Sequence, residues 1–157
     1  MTNPAVQDFY PEDFSHCRGC GRLNAHGHQF KTCRDGAETI TRYTPAPHEM
    51  SVPGFVYGGL IAALIDCHAM ATASAAALEA SGIEIGEVPS PRFVTASLKV
   101  DFLKPTPLGV ELVARARIKE RSDRKAVVEV SVSAGDVTTA RGDVIAVPMP
   151  ASMIRGG

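Results

Sequence analysis

The feature that most restricts the fold of this sequence is a long apolar run with one carboxylate inside it. Val56-Tyr57-Gly58-Gly59-Leu60-Ile61-Ala62-Ala63-Leu64-Ile65-Asp66 continues through Cys67-His68-Ala69-Met70-Ala71-Thr72-Ala73 to about Ser81. Leu, Ile, Met and Ala sit well in a helix, and no other segment signals one so strongly. The run is apolar all round, so its helix belongs at the centre of a domain with structure on every side. A charge in such a helix costs free energy unless it is paired or used, which singles out Asp66. At about 100° per residue, the face centred on Asp66 also carries Gly59, Ala62, Ala63, Ala69, Met70 and Ala73. Ile61, Leu64 and His68 lie opposite.

The rest of the chain must cover that helix. His28–Cys33 reads as a strand, Asp35-Gly36 as a hairpin turn, and Ala37–Tyr43 as a second strand. Pro45, Pro47 and Pro53-Gly54 make residues 44–55 an irregular loop. Ser81-Gly82 stops the helix, and residues 82–91 form another loop. Val94–Phe102 alternates apolar with polar residues, the period of a half-buried strand. Glu111–Glu120, Ala126–Ala134 and Val137–Val147 follow as strands, with a polar hairpin tip at Arg121–Arg124. Two strands, one long helix and four strands give an α+β fold, a curved antiparallel sheet wrapped around a central helix. Residues 1–27 read as an N-terminal arm and Cys-containing loop, and residues 28–150 as the domain.

At 157 residues the chain is expected to be one domain. A net charge of −1 gives no broad attraction to nucleic acid or to a membrane surface. The apolar run is Ala-rich and interrupted by Asp66 and His68, too weakly hydrophobic for a membrane span. Met1-Thr2-Asn3-Pro4 lacks the basic start and apolar core of a signal peptide. Cys17, Cys20, Cys33 and Cys67 are therefore expected as reduced thiols in a cytoplasmic protein.

The glycine pair and Asp66 suggest chemistry. The first N–H groups of a helix have no internal partner and form a positive dipole end, and glycine lets a ligand approach them closely. Such a terminus can hold the oxyanion that develops when a carbonyl is attacked. Asp66 lies two turns on, roughly 10 Å along the same face, where it could activate a water or attack directly. A helix start plus a buried Asp bonded to neighbouring backbone explains the same residues without chemistry.

These residues also carry a family resemblance. Tyr57-Gly58-Gly59-Leu60-Ile61-Ala62-Ala63-Leu64-Ile65-Asp66 resembles the His-Gly-Gly…Leu-x-Asp signature of hot-dog-fold acyl-CoA thioesterases of the PaaI-like group, in the 4-hydroxybenzoyl-CoA thioesterase superfamily. Cys17-Arg18-Gly19-Cys20-Gly21-Arg22-Leu23-Asn24-Ala25-His26-Gly27 is similar to the Cys-x-x-Cys-Gly entry segment of one branch. Val94-Thr95-Ala96-Ser97-Leu98 with Pro105-Thr106-Pro107-Leu108 resembles its Val-Thr-Ala-x-Leu…Pro-x-Pro-Leu strand. The three stretches occur in the family's order.

The resemblance implies a hot-dog fold, pairing of chains through their sheets into a dimer or a dimer of dimers, and active sites at the dimer interface. It implies Asp66 as general base or nucleophile, with Gly58 and Gly59 polarising the thioester carbonyl. Thr95 becomes the hydroxyl that positions the water or the partner chain's carboxylate. Tyr57 departs from the pattern, which has His there; its hydroxyl donates a hydrogen bond but is a poor base at pH 7. His48 could approach the pocket mouth, and Met70 could line an adaptable wall. Arg121, Arg124 and Lys125 are the best local cluster for CoA phosphates. His68 points about 160° from Asp66 and reads as a core histidine. Cys17-x-x-Cys20 is half of a zinc site, with His16, His26, His28 and Cys33 near in sequence. A second Cys-x-x-Cys is missing and the family uses this loop without metal, so no metal is expected, and Cys67 reads as a small buried hydrophobe. The implied activity is hydrolysis of an acyl-CoA to a carboxylic acid and CoA, with the thioester as substrate and no cofactor. The alternative is a non-catalytic acyl- or CoA-binding protein on the same fold. A hydratase of enoyl-CoA would need an Asp–His pair that does not follow the helix start.

Overall fold

In the computed structural model, residues 3–154 are described; the readings attached to residues 1–2 and to the last residues of the tail, 155–157, lie outside them. The apolar run forms α1, Gly58–Ala80, of 23 residues. Gly82 ends it in the left-handed region, at φ 69°. The N–H groups of Gly82 and Ile83 then donate to the carbonyls of Glu79 and Leu78 at 2.9 and 3.0 Å, so the last turn is satisfied by its own backbone.

Six strands follow the expected order: β1 (Thr32–Asp35), β2 (Glu38–Tyr43), β3 (Phe93–Phe102), β4 (Leu112–Arg121), β5 (Ala126–Ala134) and β6 (Val137–Pro148). They form one sheet in the order β1-β2-β4-β5-β6-β3, with every pairing antiparallel. This is the α+β hot-dog arrangement, a sheet around a long helix. Alternation does the work: Ala126, Val128, Val130, Val132 and Ala134 of β5 are all buried, under Leu60, Leu64 and Ile65 of the same core. At Gly142 on β6 the helix meets the sheet backbone, because a Cβ there would occupy the place of Ile65 Cγ2.

Two strand expectations need correction. The first strand was expected at His28–Cys33 but begins at Thr32. Gln29 has φ 56°, which breaks the extension, and His28 and Phe30 donate instead to the carbonyls of Arg18 and Gly19 at 3.0 and 3.1 Å. The alternation of β3, expected to bury one face, does not do so within this chain. Leu98 is 40% and Phe102 56% exposed, although their cross-strand partners Val144 and Ala140 are fully buried.

A buried polar ladder ties the pieces together. His68 is fully buried, with Nδ1 2.6 Å from Thr41 Oγ1 and Nε2 3.1 Å from Thr39 Oγ1. Thr39 continues to Thr72 at 2.8 Å and Thr41 to Thr32 at 2.8 Å. Gln7 then donates to Thr32 Oγ1 at 2.9 Å and accepts from its N–H at 2.8 Å. Burial pushes the His68 pKa down to about 3, so the imidazole is neutral and serves as a core hydrogen-bonding group, as the sequence suggested. The arm lies on the domain through this ladder and through Val6 and Tyr10, which pack on Ala71 and Ala75. Its Val6–Phe9 segment is a 3-10 helix.

Candidate active site

Thr95 faces α1 because of a bulge. Along β3, Leu98, Val100 and Phe102 pair with Val144, Gly142 and Ala140 and so share the helix side of the sheet. Strict alternation would put residue 95 with Ser97, Lys99 and Asp101 on the outer face. The register instead runs from Thr95↔Ala146 directly to Ser97↔Ile145, leaving Ala96 as an extra residue. Ala146 is fully buried, and its partner Thr95 therefore turns inward. A bulge that re-aims one side chain beside a site is a common use of this irregularity.

The re-aimed hydroxyl of Thr95 donates a hydrogen bond to Asp66 Oδ1. Both groups belong to the same chain, whereas the resemblance gave Thr95 an alternative role toward a partner's carboxylate. Asp66 is half-buried. Burial raises its pKa above the usual carboxylate value, with the Thr95 hydrogen bond and the nearby Arg92 charge opposing that rise. Thr95 bonds only Oδ1, so Oδ2 remains able to accept from a water.

At the start of α1, Tyr57 is the N-cap and makes no side-chain cap. Gly58 and Gly59 are both exposed, and among the described residues neither N–H has an acceptor. A side chain at either position would press on an aromatic ring. A Cβ at Gly59 would lie 2.7 Å from Tyr57 Cε2, and one at Gly58 would lie 3.3 Å from Phe102 Cζ. Tyr57 thus folds back over Gly59 and packs against the core.

A cleft of about 270 Å³ opens beside Gly58, lined by Val56, Ile61, Phe102, Leu103, Lys104 and Thr106. These apolar walls were missed from sequence. The available signal was Phe102-Leu103, an apolar pair that runs past the end of the alternating strand. Of the face centred on Asp66, only Gly59, Ala62 and Ala63 remain partly accessible; Ala69, Met70 and Ala73 are buried. Met70 is thus part of the core, and the open space lies on the N-terminal side of Asp66.

The basic cluster sits where the sheet register carries it. Arg121 pairs with Ala126, Ala126 with Ala146, and Ala146 with Thr95. The tip therefore lies at the Thr95 end of the sheet, three strand spacings or roughly 14 Å away. Arg121 and Arg124 are exposed, while Lys125 is 3.6 Å from Glu120. His48 is exposed in the loop before α1. Its neighbour Glu49 holds that loop in place: its carboxylate meets His28 Nδ1 at 2.7 Å and accepts from Tyr43 Oη and Ala46 N–H at 2.8 Å each. Sequence reading gave Glu49 no role, since its partners come from distant segments. It also separated Cys67 from the Cys loop, whereas Cys67 Sγ lies 3.8 Å from Cys17 Sγ.

Comparison with known proteins bears on the family and the fold. The family model of the thioesterase superfamily matches residues 53–141. A thioesterase superfamily protein from Shewanella loihica PV-4 is 47% identical, with 81% of this chain and 96% of that chain covered and a TM-score of 0.66. The Escherichia coli PaaI protein of the phenylacetic acid degradation operon shares the fold at 14% identity, covering 78% and 81% of the two chains with a TM-score of 0.63. A Streptococcus mutans UA159 protein bound to acetyl CoA shares it at 18% identity, covering 76% and 88% with a TM-score of 0.59. The acyl-coenzyme A thioesterase THEM4 of Xenopus laevis is 28% identical over 97 residues, 62% of this chain; the chain spans 38% of that relative's length.

Proposed function

Since the chain belongs to the thioesterase superfamily, we propose that it is an acyl-CoA thioesterase, releasing a free carboxylic acid and CoA at a site completed by a second copy of the chain. The observation that carries this reading is the Thr95–Asp66 hydrogen bond. It gives the one carboxylate of α1's apolar stretch a fixed orientation and one oxygen left for a water. The name of the Xenopus relative and the acetyl CoA on the Streptococcus protein support a CoA thioester as the substrate.

In this reaction, water bonded to Asp66 Oδ2 attacks the thioester carbonyl carbon while Asp66 takes its proton. The carbonyl oxygen becomes an oxyanion held by the Gly58 and Gly59 N–H groups, at the positive end of the helix dipole. Collapse re-forms the carbonyl and breaks the C–S bond, and CoA leaves as a thiol with the proton that Asp66 had taken. Phe102, Leu103 and Ile61 offer apolar surface to the pantetheine or acyl chain. Arg121, Arg124 and Lys125 supply positive charge for the phosphates.

β3 supports the second copy. It is an edge strand of ten residues, with an unpaired backbone and an apolar row that its own protomer leaves exposed. Such an edge is a template for pairing with another chain. A twofold contact there buries Leu98 and Phe102 and narrows the space around Asp66.

One residue favours the non-catalytic alternative: Tyr57 stands where the family signature has His, and a phenol is a poor base at neutral pH. Release of CoA from a series of acyl-CoA chain lengths, compared between wild type and Asp66→Ala, separates the readings. Turnover that depends on Asp66 supports hydrolysis. Acyl-CoA binding by the wild type without turnover overturns it.

A further inference from the structure

The Cys-containing loop closes onto α1 at Cys67. Cys17, Cys20 and Cys67 are all free thiols, and their sulfurs lie within 4.8 Å of one another. Cys17 and Cys67 are 3.8 Å apart. In a tetrahedral thiolate site with metal–sulfur bonds of about 2.3 Å, the sulfur–sulfur edge is about 3.8 Å. Cys20 and Cys67 are 2% and 6% exposed, so the group is enclosed by the fold.

The backbone of the loop seats the cluster. Gly19 N–H donates to Cys17 Sγ at 3.4 Å, the kind of backbone donor that stabilises a thiolate. Gly19 must be glycine, since a Cβ there would take the place of Cys67 Sγ; the loop is therefore seated directly on that sulfur. Arg92 supplies a positive charge felt by all three cysteines and stacks 5.0 Å from the Tyr10 ring. The Tyr10 hydroxyl is buried and has no hydrogen-bond partner among the described residues.

We propose that Cys17, Cys20 and Cys67 form a three-thiolate site for a thiophilic divalent cation, with zinc the ion that suits their spacing. The sequence held only half of such a site, and the fold supplies the third sulfur from α1. A water completes four-coordination. Arg92 offsets the net negative charge of three thiolates around a divalent ion. The site joins the N-terminal arm to α1 one residue from Asp66, and it stands or falls independently of the thioesterase reading.

The test is titration of the full chain with Co²⁺ after chelator treatment, in a phosphine reductant. The expected result is a sulfur-to-cobalt charge-transfer band and intense tetrahedral d–d bands, saturating at a single equivalent and bleached by Zn²⁺. Cys33→Ser keeps these bands; Cys17→Ser and Cys67→Ser lose them. Circular dichroism checks the fold of each variant, and partly exposed Cys17 decides the matter if Cys67→Ser unfolds. Absence of the bands in folded wild type overturns the proposal, as does their survival in Cys67→Ser. A Cys17–Cys67 disulfide that persists under the reductant also overturns it.

Discussion

Thr95 Oγ1 donates a hydrogen bond to Asp66 Oδ1 within one chain, across the seam between β3 and α1. The bond exists because Ala96 is left out of the β3–β6 pairing. A group on an exposed edge strand thereby fixes a carboxylate in the middle of an apolar helix. The first two tests below address the two halves of this relationship.

Asp66→Asn preserves the shape of the side chain and its ability to accept from Thr95, but removes the base. Steady-state hydrolysis of acyl-CoA is expected to show kcat lower by about 10²- to 10⁴-fold, the usual contribution of general-base catalysis. KM should move little. An unchanged kcat would remove Asp66 from the mechanism.

Thr95→Ala removes the hydroxyl that bonds Asp66 Oδ1 and leaves the β3 backbone as it is. Activity is expected to fall roughly 10- to 100-fold, the loss of one hydrogen bond to a charged group. Thr95→Ser, which keeps the hydroxyl, should retain most of the rate. Full activity in Thr95→Ala would show that this hydrogen bond does not orient the carboxylate for the reaction.

Thr41→Val keeps the volume of a buried residue and removes the hydroxyl that joins His68 to Thr32. The imidazole Nδ1 is then left buried without a partner, at a cost of about 1–3 kcal/mol. Urea denaturation should show a lower midpoint with an unchanged slope. Because the ladder lies on the far side of α1 from Asp66, kcat at low temperature is expected to stay near the wild-type value.

Leu98→Glu combined with Phe102→Glu places charge in the exposed apolar row of β3. Light scattering with size exclusion should report a dimer or larger assembly for wild type and a monomer for the double variant. Acyl-CoA hydrolysis should be lost along with assembly. A wild-type chain that stays monomeric at high concentration would contradict the shared site.

Much of the fold is legible in the sequence because one constraint dominates it. A helix apolar on every side must be wrapped, and the extended segments before and after it are the material that can do so. The period of two in β5 turned directly into buried Ala126, Val128, Val130, Val132 and Ala134. The sequence also held Asp66 and the glycine pair at a fixed spacing, since positions along one helix follow from its geometry. The start of β1 was not legible, because the positive φ of Gln29 and the pairing of Phe30 with Gly19 depend on a loop packed from elsewhere.

By itself the sequence determined what is local: a central helix, a carboxylate on it, two exposed glycines before it, and strands to cover it. Only the tertiary structure decided how distant residues meet. One skipped residue in the β3–β6 register reverses the facing of Thr95, and alternation along a single strand cannot reveal a register shift relative to another. In the same way, Cys67 reads as a plain buried hydrophobe along the chain, and the packing of residues 17–20 onto α1 makes it the third sulfur of a cluster. Periodicity records which side of its own element a residue occupies; which groups converge there is set by the contacts between elements.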